Sequence, residues 1–215
     1  MRQIMVDTVT TRNDDSVSSS GRDLLFWAAT KCFYAHGYHG TSVRDITESI
    51  GFSPGAMYHH YKSKQDLLFA IVSWFLQESI ENTRKAIESA GPDPADRLFH
   101  AARSHVLWNA SDVMCSFVVN SEIRSLTPEN RARNVAQRDT LQRMFDSAVV
   151  DGTKNGLFTT PYPLETSRAI VTMCTAVATW YRSSGPLTPS QIADQYGEMS
   201  LNLAGFREGY SDQKS

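Results

Sequence analysis

Long hydrophobic runs are missing from this chain of 215 residues. No stretch approaches the roughly 20 apolar residues that carry a helix across a bilayer, and the N-terminus lacks the apolar core of a signal peptide. Cysteine is scarce as well. Cys32, Cys115 and Cys174 are odd in number, far apart and each set in an apolar stretch, which excludes a disulfide framework and reads as buried thiols in a reducing cytosol. Nor is there an excess of positive charge. With 21 Lys and Arg against 23 Asp and Glu, the net charge is −2, so the whole chain is not a basic nucleic-acid binder and any positive potential must be local. A metal-ligand cluster is lacking too: four of the six histidines fall between His36 and His60, but His36-Gly37-Tyr38-His39 spans a helix end at Gly37 and does not make up one of the ligand sets that metals require. Solvated or phosphate-facing histidines are the better reading, and neither metal nor cofactor is expected.

Proline and glycine, 8 and 12 in number, gather at a few points and so divide the chain. Gly91-Pro92, Thr127-Pro128, the stretch 156–163 and the stretch 185–189 punctuate segments with helical apolar spacing at 63–90, 94–110, 112–126, 128–155, 164–183 and 189–206. With three helices earlier in the chain, the first of these segments overlapping them as a connector, the count is about nine helices and no convincing strand. An all-α fold follows. The organisation expected is a mobile polar tail over 1–20, a small helical domain over 21–69, a larger helical domain over 70–208 and a short tail over 209–215.

The richest stretch runs from Thr41 to Leu68. Ser42 followed by Asp45 has the form of a helix start, with Thr41 an alternative cap. Val43, Ile46 and Ile50 then share one face. Gly51 can take the left-handed conformation that ends a helix. Ser53 caps the next helix and Pro54 stands at its first position, where a missing N–H costs nothing; Ser63 with Asp66 opens a third. A stop, a turn and a new start within four residues make a helix-turn-helix, the device that presents a helix to the DNA major groove.

A competing pattern occupies the same turn. Gly51-Phe52-Ser53-Pro54-Gly55 satisfies the nucleophile-elbow motif of α/β-hydrolases. That motif needs a strand before the serine and a backbone N–H after it; here the preceding residues have helical spacing and Pro54 has no N–H. The serine is read as a helix cap, with an esterase as the alternative. A helical ligand- or partner-binding module that no longer binds an operator is a further one.

From Arg22 to about Ile71 the chain resembles the DNA-binding module of the TetR family of bacterial transcriptional repressors. The likeness rests on Leu25, Ala28, Ala29 and Phe33 in the first helix, the link Gly37-Tyr38-His39-Gly40-Thr41, the turn, and Gly55-Ala56-Met57-Tyr58-His59-His60-Tyr61-Lys62-Ser63-Lys64 running into Leu67-Leu68. Thr47 departs from the pattern, where the family usually has a small apolar residue. By residue type, Arg22, Arg44, Lys62 and Lys64 can neutralise phosphates, and His59, His60, Tyr58 and Tyr61 can add hydrogen bonds. The resemblance implies that Thr41, Tyr58, His59 and Lys64 hold the sugar-phosphate backbone. It also implies that Arg44, Ser53, Gly55 and Ala56 face the bases, with Pro54 among the DNA-binding residues, Arg44 suiting a guanine and Ala56 a thymine methyl.

Two later helices read as a dimer contact. The segment 170–181 is apolar nearly all round, and the last helix carries Ile192, Tyr196, Met199, Leu203 and Phe206 with small Ala193, Gly197, Ser200 and Ala204 permitting close approach. Val177, Tyr181, Tyr196, Met199 and Leu203 are the expected interface of a four-helix, two-fold homodimer, which would space two modules about 34–36 Å apart over an inverted repeat.

The middle helices should enclose a ligand, since an apolar cavity with a few polar anchors is the usual small-molecule site. His105, Trp108, Phe117, Val118, Ser121, Arg124, Arg138, Met144 and Phe145 are its expected lining, with Met173 and Trp180 added from the later apolar helix. Glu122-Ile123-Arg124-Ser125-Leu126, Arg138-Asp139, residues 152–158, Trp180-Tyr181-Arg182 and Gly185-Pro186-Leu187-Thr188-Pro189 resemble the regulatory half of TetR-type repressors of fatty-acid, aromatic-acid or steroid degradation. That resemblance implies an acyl-CoA or lipid-like acid as effector, with Arg124, Arg131, Arg138 and Arg143 available to its phosphates.

Overall fold

The computed structural model of the protein describes residues 20–206. Among them are nine α-helices: α1 Gly21–His36, α2 Val43–Glu48, α3 Pro54–Tyr58, α4 Lys64–Ser89, α5 Pro94–Ser111, α6 Val113–Ser121, α7 Pro128–Lys154, α8 Pro163–Trp180 and α9 Pro189–Ala204, with a short 3-10 helix at Glu122–Ser125. The only β feature of the described residues is an isolated antiparallel bridge between Phe158 and Phe206. The all-α expectation stands. The chain divides into two compact units between Leu68 and Phe69. No described helix is long and apolar enough to cross a membrane.

The first unit begins at a structured cap. Ser20, expected within a mobile tail, stands at the N-cap of α1, where its hydroxyl accepts from the Asp23 N–H at 3.3 Å; the rest of that tail and the tail over 209–215 lie outside the described residues. At α2 the capping box is complete: Asp45 N–H donates to Ser42 Oγ at 3.1 Å and Ser42 N–H to Asp45 Oδ2 at 2.7 Å. The turn that follows closes with Phe52 N–H on Thr47 O at 2.8 Å, around Gly51 at φ 72°. A Cβ on Gly51 would meet nothing within 4 Å, so glycine is required there by the backbone and not by space. Thr47 is fully buried, and its hydroxyl donates back to Val43 O and Arg44 O, both at 3.1 Å. The polar departure at that position is thereby satisfied within its own helix. Leu25, Ala29, Phe33, Ile46, Met57, Leu67 and Leu68 form the core of the unit.

In the second unit α9 lies most extensively on α5, and α8 packs on α7 and α5. The core runs through Leu98, Ala102, Val106, Phe145, Val149, Ile170, Cys174 and Ile192. A Cβ on Gly197 would come within 2.6 Å of the Phe99 ring, and Ala193, Gly197, Ser200 and Ala204 are all buried. Gly197 therefore seats α9 on α5, and Ser200 meets Cys174 of α8, so these small residues are buried within one chain, which corrects their assignment to a subunit contact. Two helix ends also differ from expectation. The sixth helix tightens to 3-10 at Glu122 because Thr127 must leave helical geometry to cap α7, its hydroxyl accepting from Asn130 N–H at 3.3 Å. Helix α8 stops at Trp180 because Tyr181 turns extended and buries its ring, the hydroxyl donating to Leu187 O at 3.2 Å. Cys115 and Cys174 are buried; Cys32, expected to be, is only half-buried.

Candidate nucleic-acid interface and effector cavity

Helix α3 is short, with Pro54 at its first turn and an extended Ser53 before it. Ser53 occupies the cap position, yet its side chain makes no cap hydrogen bond, so the cap reading holds for the backbone alone. Met57 alone on α3 is buried and pins the helix to the core. Ser53, Pro54, Gly55, Tyr58, His59 and Lys62 are exposed, and Ala56 is half-exposed. Tyr58, at 58% exposure, is the most open aromatic of the first unit. Arg44 is exposed as well; its Nε donates to Glu48 Oε1 at 2.6 Å, and the remaining guanidinium donors can meet a base edge.

Three other expected contacts are internal. Thr41 is 2% exposed and its hydroxyl donates to Gly37 O at 2.8 Å, leaving no hydroxyl for a phosphate. Lys64 Nζ donates to Tyr38 O at 2.8 Å and to Thr41 O at 2.6 Å, while lying 4.1 Å from the Tyr38 ring centroid. Desolvation by this packing lowers its pKa. Two of its three donor hydrogens thus brace the link between α1 and α2 against the start of α4. Tyr61 is buried, its hydroxyl donating to Arg22 O at 3.4 Å beneath the Arg22 guanidinium. The elbow motif is also accounted for: Ser53 follows a helix and a turn, not a strand, and Pro54 supplies no oxyanion donor.

The second unit holds a half-open cavity of about 560 Å³, walled by α4, α5, α6, α7 and α8. Phe75, Leu76, Val119, Leu141 and Val171 give it apolar walls. Across it runs a polar bridge: the His105 ring meets Ser79 Oγ through Nδ1 at 3.1 Å and Thr175 Oγ1 through Nε2 at 2.9 Å, one nitrogen donating and the other accepting in the neutral ring. Asn109 Nδ2 donates to His105 O at 2.8 Å, and Ser116 Oγ to Asn109 Oδ1 at 2.6 Å. Burial above all, with the positive charge of Arg138, pushes the His105 pKa down to about 4.

Of the expected lining, His105 and Arg138 reach this cavity. Phe145 is buried behind the His105 ring, 6.1 Å away, and Val118 is buried in the core. Trp108 faces a different groove, its indole donating to Phe75 O at 3.1 Å. Met144 lines a shallow surface with Arg84 and Arg143. Phe117, Ser121 and Arg124 are exposed outside the cavity, Met173 packs on the core, and Trp180 is 48% exposed. The helical register, unreadable to better than a residue or two from spacing, turned these side chains away. Sequence reasoning missed Ser79, Asn120, Gln142, Arg168 and Thr175. For Ser79 a signal existed: it interrupts the apolar stripe of α4, where a polar residue is otherwise unexpected.

The expected dimer residues also separate. Val177 and Tyr181 are buried in their own core, which corrects their assignment to an interface. Tyr196 is half-buried, stacked on Trp180 at 6.4 Å, while Met199 and Leu203 are 48% and 46% exposed. Trp180, expected in the cavity, therefore belongs to this outward apolar face.

A helix-turn-helix module joined to a helical domain with a half-open cavity is the build of a ligand-responsive transcriptional regulator. Residues 25–71 match the family described as bacterial regulatory proteins, tetR family, and residues 91–204 match the tetracyclin repressor-like C-terminal domain. The chain belongs to the TetR family. It is similar to the HTH-type transcriptional repressor KstR2 of Rhodococcus jostii, 29% identical over 90% of this chain and 95% of that protein. A solved bacterial regulatory protein of the tetR family from Rhodococcus RHA1 is 30% identical over 89% of this chain and all of that one, with a TM-score of 0.80. A structure of AibR in complex with isovaleryl coenzyme A and operator DNA shares the fold, with a TM-score of 0.76 at 24% identity over 86% of this chain and 99% of that one.

Proposed function

We propose that the protein represses transcription by binding an inverted repeat as a homodimer, and that a hydrophobic acid or its CoA thioester releases it from the DNA. It does so without catalysis, Ser53 facing DNA and not a substrate. One observation carries the reading: Ser79, part of the polar bridge across the cavity, sits on α4, the helix that begins at Lys64 in the first unit. A ligand that displaces the Ser79–His105–Thr175 bridge acts directly on the helix leading to the DNA-binding module. Such a ligand shifts the population of the dimer between two module spacings, by as much as its affinities for the two differ. AibR, which shares the fold and is described with an acyl-CoA and an operator, supports the effector class.

The test is a genomic pull-down of DNA bound by the purified protein. The expected product is an inverted repeat with half-sites about one helical turn apart, bound with an affinity that falls steeply with salt. Recovery of random DNA, or of none, refutes the reading.

A further inference from the structure

Arg138 offers the cavity a charge that the protein does not neutralise. Its Nε donates to Asn134 Oδ1 at 3.1 Å, and its Nη2 to Val119 O at 3.2 Å and Asn120 Oδ1 at 3.1 Å. All three acceptors are uncharged, Nη1 makes no hydrogen bond, and every ion pair of the described residues lies elsewhere. Burial alone moves its pKa, downward, as expected of a cation without a counter-ion. A half-buried guanidinium held by neutral acceptors alone is open to an anion, and its planar head matches a carboxylate.

We propose that Arg138 is the anchor for a carboxylate, and that the effector is a free hydrophobic acid whose carboxylate meets the Nη1 edge inside the cavity. This rests on the reading of the cavity as the effector site. The apolar walls take the body of the acid, and the neutral His105 bridge adds hydrogen bonds without competing charge. A CoA thioester fits less well on two counts. Thioester formation removes the charge that Arg138 complements. The nucleotide phosphates would also need several cations, whereas Arg168 is the only other arginine of the lining and Asp139 lines it too. Arg124, Arg131 and Arg143 do not line it.

The experiment uses the full chain, its operator and three probes: decanoate, 4-phenylbutyrate and decalin-2-carboxylate, each as free acid, methyl ester and CoA thioester. Operator release and the shift in Tm are read for the wild type, Arg138→Gln and Arg138→Lys. At least one free acid is expected to act at concentrations about tenfold or more below its ester and its thioester, the worth of one charge-assisted hydrogen bond. Arg138→Gln is expected to abolish that ratio and Arg138→Lys to retain part of it. The ratio is taken within each variant, so a change in operator affinity cancels. If Arg138→Gln fails to fold, the acid-to-ester ratio of the wild type still decides. Esters or thioesters as potent as the acids, no active acid, or an unchanged ratio in Arg138→Gln would each overturn the anchor. Release by thioesters alone removes the anchor and leaves the repressor intact, whereas failure to bind any inverted repeat removes the repressor.

Discussion

The His105 ring is held between the hydroxyls of Ser79 and Thr175, with Phe145 behind it. Because burial depresses its pKa to about 4, from an ordinary 6.5, the unfolded chain takes up the proton first as pH falls. The stability tied to the neutral ring is complete above about pH 6.5 and is lost progressively down to about pH 4, a swing on the order of 3 kcal/mol. Urea unfolding of wild type and His105→Gln between pH 7.5 and 4 measures it: the wild type should lose about 3 kcal/mol more than the variant. Parallel pH profiles would show that the ring is not the source. His105 was legible in the sequence as a lone imidazole on an apolar helix face. Its partners were not, because hydroxyls 26 residues before and 70 residues after it meet the ring only when three helices pack.

Helix α3 spans five residues, too few to persist alone, and is held by Pro54 at its start and Met57 in the core. Its outward residues can therefore be changed without touching its support. Tyr58→Ala and Lys62→Ala should weaken binding across all DNA sequences, and loss of Lys62 should lower the salt slope of log affinity by about 1. Titrations at several salt concentrations read both; a loss confined to one operator would reassign these side chains to base recognition. Helix α9 shows the opposite constraint. Gly197→Ala places a methyl against the Phe99 ring and should destabilise the fold by about 1–3 kcal/mol through overpacking, measured by denaturation. An unchanged midpoint would mean that Phe99 swings clear. The stripe of small residues was visible in the sequence; whether it met a partner subunit or helices of its own chain was not, since both demand the same close approach.

At the level of the whole molecule, Tyr196, Met199 and Leu203 recur along α9 beside Trp180, and they leave large apolar side chains in water. In the proposed homodimer a second copy of the chain covers this face. Leu203→Glu should leave the monomer folded, because the side chain is 46% exposed, but should halve the mass seen by sedimentation or light scattering and sharply reduce operator affinity. A monomeric wild type at micromolar concentration would end the dimer proposal.

The sequence by itself determined the all-α class, the helix-turn-helix and nearly every helix boundary. These depend on caps, proline, glycine and apolar period, all local in the chain. Tertiary structure alone decided which side of each helix faces inward. It buried Thr41 and tied Lys64 to two carbonyls, turned Trp180 and Phe117 away from the cavity, and brought Ser79, His105, Arg138 and Thr175 around it. The physical reason is that a helix rotated by one residue keeps its period but exchanges its neighbours, and only packing against other helices fixes that rotation.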